Sequence, residues 1–216
     1  MTGNLTFSGW GKCNAGEYGN PGENVIWGMG TSGGASEGLL LDVGISANTI
    51  LSAVAFRAGG TELQSFDFLT GSNSNWFAWA WRHTGGTAVY DFSYLFENQL
   101  AWTTHQFTLT AEITTVGGGI FVGSDQFGED ALNSDSRSFF CQQVRMTDAQ
   151  LLAAAQNINV PPNGVNLHWL KLLNAGSATT NLGTAGAVWT STGTLQTAAS
   201  EPNIRSGNSL FFGSGA

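Results

Sequence analysis

Apolar residues alternate with small or polar ones along Leu5-Thr6-Phe7-Ser8-Gly9-Trp10-Gly11-Lys12-Cys13, the period of two that turns successive side chains to opposite faces of a strand. Leu5, Phe7 and Cys13 then share a face, and the run predicts the opening strand. Gly16, Gly19, Pro21 and Gly22 mark residues 14 to 23 as turn-rich, and residues 24 to 29 resume as a strand. Gly33-Gly34 breaks the chain again. Residues 38 to 45, 50 to 57 and 63 to 69 are further predicted strands, divided by Ser46-Ala47-Asn48 and by Gly59-Gly60. Strands recurring between turn signals at this rate predict two packed antiparallel sheets.

The densest apolar run, Trp76-Phe77-Ala78-Trp79-Ala80-Trp81, is followed by Thr84-Gly85-Gly86-Thr87 and a return run from Ala88 to Leu95. This predicts a hairpin, with the glycine pair supplying positive φ at the turn. Alternation puts Phe77, Trp79 and Trp81 on one face and Trp76, Ala78 and Ala80 on the other, so one face is bulky and the other small. Phe107 to Thr110 and Gly119 to Gly123 are predicted strands, Ser124 to Asp130 has loop composition, and Ser138 to Met146 returns as a strand. Thr147-Asp148-Ala149-Gln150 fits a capping box. Leu151, Leu152 and Ala155 follow at helical spacing, predicting one short helix that seals an end of the sandwich. After Pro161-Pro162, Val165 to Leu172 reads as a strand with Val188 to Leu195 as its partner, and the pair docks on the sandwich because a lone hairpin is marginal in water.

Composition narrows the function classes. With 216 residues, 42% of them hydrophobic, the chain can bury a large core as one domain. Charged residues are only 10% of the chain, well below the roughly 25% usual for globular proteins, so the surface is dressed with neutral polar side chains. The formal charge of −8, with seven scattered cations, disfavours nucleic acid and anionic membranes, both of which need clustered positive charge. Met1-Thr2-Gly3-Asn4 carries neither the charged nor the apolar region of a signal peptide, and no run approaches the roughly 18 apolar residues of a membrane span. The expectation is a chain that is soluble and not processed by secretion. Cys13 and Cys141 cannot supply the four ligands of a structural zinc site. Their predicted strands can be neighbours, so free thiols and a disulfide both stay open.

Taken in order, these runs resemble the laminin-G-like, concanavalin-A-like jelly-roll superfamily. Leu5 to Lys12 is similar to its first core strand, Asn75 to Tyr94 to its central hairpin, and Ile120 to Gly123 with Val144 to Leu151 to its closing strands and capped helix. The resemblance spans roughly residues 5 to 156 and implies an all-β, two-sheet antiparallel jelly-roll sandwich with one short helix after the last core strand. Residues 1–160 form the core, and 161–216 form a C-terminal strand pair and tail docked on the same domain. That tail resembles strand pairs appended to jelly rolls from bacteriophage and bacterial genomes. In phage, such jelly rolls serve as head decoration, fibre or other particle-surface components. The family's glycoside hydrolases place acidic residues at alternating positions on one strand, because a retaining mechanism needs carboxyl groups about 5 Å apart. Here Glu62 and Asp67 are too far apart in sequence, and the adjacent Glu129 and Asp130 point opposite ways in an extended chain. No Gly-x-Ser-x-Gly elbow or His-Glu-x-x-His helix occurs.

Each candidate site has a plainer alternative. The tryptophans of 76 to 81 are read as core. Trp102, in a predicted loop beside His105, is the better candidate for an exposed ring, and the two form a glycan-binding candidate. Asp125, Glu129, Asp130 and Asp135 crowd one loop and are weak calcium candidates, lacking the spacing of a dedicated calcium loop. His83, His105 and His168 are dispersed and read as polar filler. Leu210, Phe211 and Phe212 form an apolar patch for self-association or anchoring. The leading expectation is a non-enzymatic virion structural protein without cofactor, made in the host cytoplasm, displayed on the particle surface and partnered by virion proteins or by itself as a homo-oligomer. The alternative is a carbohydrate-binding adhesin, for example on a tail fibre.

Overall fold

A computed structural model describes residues 3–13, 24–30, 37–43, 50–57, 62–70, 75–97, 99–114, 119–122, 134–172, 179–186, 188–189 and 202, with some strand-end residues, Cys13 and Asp135 among them, described by backbone alone. The strands are β1 (Leu5–Cys13), β2 (Asn24–Met29), β3 (Gly38–Val43), β4 (Ile50–Arg57), β5 (Glu62–Thr70), β6 (Phe77–His83), β7 (Val89–Phe96), β8 (Thr103–Thr108), β9 (Ile120–Val122), β10 (Ser134–Gln142) and β11 (Asn166–Leu170). One helix, α1, spans Asp148–Gln156. A six-stranded sheet runs β11-β10-β1-β6-β7-β8 and a five-stranded sheet runs β5-β4-β3-β2-β9. Every strand pairing is antiparallel.

Alternation decides which side chains fill the space between the sheets. Phe77, Trp79 and Trp81 join Phe7, Trp27 and Phe92 in the central cluster. The Trp27 ring lies 5.3 Å from Phe7 and 5.1 Å from Trp79, centroid to centroid, within the range where aromatic pairs add to simple area burial. The small face of β6 is buried too. Trp76, Ala78 and Ala80 point away from the second sheet, and α1 lies over them through Leu151 and Ala155. The helix therefore covers a face of the six-stranded sheet, where an end cap had been expected; two alanines leave the room a helix backbone needs. Its start matches the sequence expectation, with the Gln150 amide donating to the Thr147 hydroxyl and the Thr147 amide to the Gln150 side chain. In the β6–β7 turn Gly86 supplies the expected positive φ, at +76°, while Gly85 does not; Gly85 is required instead by close approach, since a Cβ there would come within 2.4 Å of the Gly3 backbone.

Three strand expectations shift. The strand expected over 107 to 110 begins earlier, at Thr103, so His105 is a strand residue rather than part of a loop. The strand expected over 138 to 146 is Ser134–Gln142. Its end is set by Thr6, whose hydroxyl donates to Val144 O (2.6 Å) and accepts from Met146 N (3.0 Å), drawing that segment across the sheet face toward α1. Val144 and Met146 still alternate in sequence, which is why the pattern imitates a strand. In the tail, β11 pairs with β10, whereas a hairpin with 188 to 195 was expected; Val188 and Trp189 lie outside any strand and 190 to 195 lie outside the described residues. The amides of Leu182, Thr184 and Ala185 instead donate to Trp169, Asn166 and Leu167 carbonyls, covering the outer edge of β11.

Register settles the cysteines. Cys13 pairs with Ser134 while Cys141 pairs with Phe7, so they are separated along the same strand pair by about 20 Å at roughly 3.3 Å per residue, too far for a bridge. Burial pushes the Cys141 thiol pKa up to about 12.

Candidate functional site

The sheet faces carry their charges in closed pairs. Arg82, 6% exposed, projects from β6 on the α1 side; it donates to Asp148 Oδ1 (2.6 Å) and Met146 O (3.3 Å), and with its other terminal nitrogen to Ser93 and Thr104 hydroxyls. Beside it, the buried Asp91 accepts from Arg145 and from Gln106. These contacts fasten the 144–148 segment and the helix start to the sheet. At the end of the sandwich near the 109–114 segment, Arg57 donates to Glu37, and Glu37 accepts from Thr114 N at 2.7 Å. Glu62 accepts from Thr110 N and its hydroxyl, which holds the Glu62 carboxyl below the usual carboxylate range. Tyr90 Oη accepts from Ile113 N (2.6 Å), and burial pushes this phenol pKa up to about 12. Glu112 accepts from Gly86 N and lies 2.8 Å from His83 Nε2; the His83 bond first, then the Gly86 amide, lower its pKa. The acidic groups here act as fasteners for backbone amides.

A groove of about 430 Å³ opens where the end of β10, the segment before α1 and the turn before β11 meet. Gln142, Gln143, Gln150 and Asn163 bring amides to it, and Val144, Val165 and Leu167 bring apolar wall. Gln142 is 1% exposed. Its Nε2 donates to Asn163 O (3.1 Å) and Asn166 Oδ1 (2.9 Å), while Asn166 Nδ2 donates to Pro162 O (3.0 Å), so two amides clamp the turn. The Gln142 Oε1 atom is buried without a hydrogen-bond partner.

The residues singled out from sequence do not converge. Trp102 and His105 project from opposite faces of the six-stranded sheet. The Trp102 ring packs against the clusters beneath α1, and the His105 ring faces inward, stacked 4.0 Å from Phe66. Neither stands free as a sugar platform. Asp125, Glu129 and Asp130 lie outside the described residues, as do Leu210, Phe211 and Phe212; Asp135 is described by its β10 backbone, opposite Lys12. Among the described residues, no group of three or more His, Cys, Asp or Glu side chains could hold a metal ion, and no helix is long and apolar enough to cross a membrane.

No protein-family model matches the chain, and no curated protein matches it in sequence. Solved structures match its shape. Full-length tailspike protein 2 from Escherichia coli O157:H7 bacteriophage CAB120 superposes with a TM-score of 0.56 at 14% identity, over 80% of this chain and 24% of the tailspike. The native heptameric SAP-like pentraxin from Limulus polyphemus gives 0.50 at 11% identity, over 76% of each chain. The likeness is one of fold. This chain is a jelly roll.

It spans about a quarter of the tailspike that it matches. Within this jelly roll, the residues that shape the groove escaped the sequence reading because their signals are weak: Gln142 and Asn166 read as ordinary strand polar positions. Only Pro161-Pro162 marked a break in the chain there.

Proposed function

We propose that this jelly roll is a non-enzymatic structural module on the surface of a bacteriophage particle, a decoration or fibre component made in the host cytoplasm and partnered by itself or by other particle proteins. The observation that carries this reading is the internal use of charge. Glu37, Glu62, Asp67, Asp91, Glu112 and Asp148 each hold a partner within the chain. A glycoside hydrolase instead turns two carboxyl groups toward its substrate. The tailspike likeness in fold and the low-charge composition support the particle setting, as does the resemblance of residues 5–156 to laminin-G-like and concanavalin-A-like domains. Mass spectrometry of density-gradient-purified particles should find the chain, and light scattering of the isolated protein should show self-association. Absence from particles, or release of reducing sugar from any polysaccharide by the purified chain, would overturn the proposal.

A second reading, a glycan-binding module in the same setting, is favoured by the amide-lined groove beside α1.

A further inference from the structure

We infer that the groove between β10, β11 and the start of α1 is a calcium-independent binding site for an uncharged glycan, with the Gln143 and Asn163 amides as its hydrogen-bonding lips and Val144 and Val165 as its apolar walls. This rests on the glycan-binding reading and gives it a place and a ligand class. The volume of about 430 Å³ falls in the range of about 300–1,000 Å³ usual for small-molecule sites.

The lining chemistry selects the ligand. Each side-chain amide offers donors and an acceptor together, which is the complement of a sugar hydroxyl that both donates and accepts. Among the described residues, no carboxylate, lysine, arginine or histidine lines the groove. A phosphate, uronate or sialate finds no counter-charge there, and calcium finds none of the anionic oxygens it prefers. Val144 and Val165 are 41% and 67% exposed, apolar surface placed where the C–H face of a sugar ring would cover it.

A second observation concerns Gln142, a residue of the groove wall. The Gln142 amide nitrogen is spent on the turn, on Asn163 O, Asn166 Oδ1 and, at 3.5 Å, Pro162 O, which leaves Oε1 as a buried acceptor with no donor. Indole nitrogens in the core, those of Trp27, Trp79 and Trp81 among them, are buried in the same way; what sets Gln142 apart is that its residue lines the groove. Gly164 stands next to this atom: its φ is +109°, and a Cβ built there would lie 3.3 Å from Gln142 Oε1. Glycine thus lets the turn pack close over this atom without a side chain that would narrow the groove. Both lips are fixed beforehand. Thr6 holds the Val144 side through its two backbone bonds, and the Gln142–Asn166 clamp holds the Asn163 side. Fixing the walls in advance lowers the ordering cost of binding.

The test is a titration of the ¹⁵N-labelled full chain with uncharged oligosaccharides of glucose, galactose, mannose and N-acetylglucosamine, in EDTA and again in calcium, with sialylated and uronate-containing oligosaccharides alongside. Saturable shifts of the Gln142, Gln143 and Asn163 side-chain amides, equal in both buffers, are expected with at least one uncharged member. Gln143 and Asn163 are exposed, so Gln143→Ala and Asn163→Ala keep the fold and should each weaken binding about two- to tenfold, the worth of one neutral hydrogen bond. Shifts that map to Trp102 and Gln106 instead would overturn the inference, as would binding lost in EDTA, preference for the charged sugars, or no response to the whole panel. A chain found in particles whose groove stays silent retains the surface proposal and loses the site. Groove binding by a chain absent from particles does the reverse.

Discussion

Thr6→Val tests whether one buried hydroxyl ends β10 and directs the chain toward the helix. Valine matches threonine in shape, so the packing stays while two hydrogen bonds go. Thr6 is fully buried, and the two bonds differ in setting: the one from Met146 N is buried, while the one to Val144 O is partly exposed. The Met146 amide, left without an acceptor, costs about 1–3 kcal/mol. Water can reach the Val144 carbonyl, so its loss adds about 0.5–1 kcal/mol. The sum is a loss of about 1.5–4 kcal/mol, offset slightly by the extra methyl group. For a chain of this size each kcal/mol moves the midpoint by about 2–4 °C, so Tm should fall by roughly 3–16 °C. Urea unfolding with an unchanged m-value gives the same quantity independently. Thr6→Ser keeps the hydroxyl and should lose about 1 kcal/mol or less from the missing methyl. A loss under about 0.5 kcal/mol for Thr6→Val, or equal losses for the two variants, would refute the clip, since the 144–146 segment would then be held by something else.

Two further expectations follow from buried groups. In a Cys13→Ser background, Cys141 should resist a thiol reagent in the folded protein and react fully in denaturant, because burial holds its pKa near 12 and keeps it protonated; rapid native-state labelling would contradict the packing between β1 and β11. His168 Nδ1 accepts from Trp189 Nε1 at 3.3 Å and lies 3.5 Å from Asn181 Nδ2, and burial lowers its pKa below the usual imidazole value of 6.5. The unfolded chain therefore binds the proton first as pH falls. The contribution of this contact is complete above pH 6.5 and is lost as pH drops through the folded-state value, where a protonated Nδ1 would face two donors. Tryptophan fluorescence and Tm followed from pH 8 to pH 5 should show the loss in the native chain and a smaller one in Trp189→Phe; the same pH profile for both would place the titration elsewhere.

Period-two alternation was enough to define the sandwich from the sequence, because a strand has only two faces and a one-residue slip would expose a whole row of aromatics. Phe77, Trp79 and Trp81 against Trp76, Ala78 and Ala80 gave both the core side and the small side of β6. The capping box at Thr147 and Gln150 was legible because its partners lie three residues apart and depend on no distant contact. Non-local partners decided the rest. Thr6 reaches across to Val144 and Met146 and shortens β10; β10 takes β11 as its neighbour; register carries Cys13 and Cys141 to opposite ends of one strand pair. The groove belongs to the same class. Gln142, Asn163 and Gly164 have no common spacing that marks a site, and they line one groove only when the turn folds back over the end of β10.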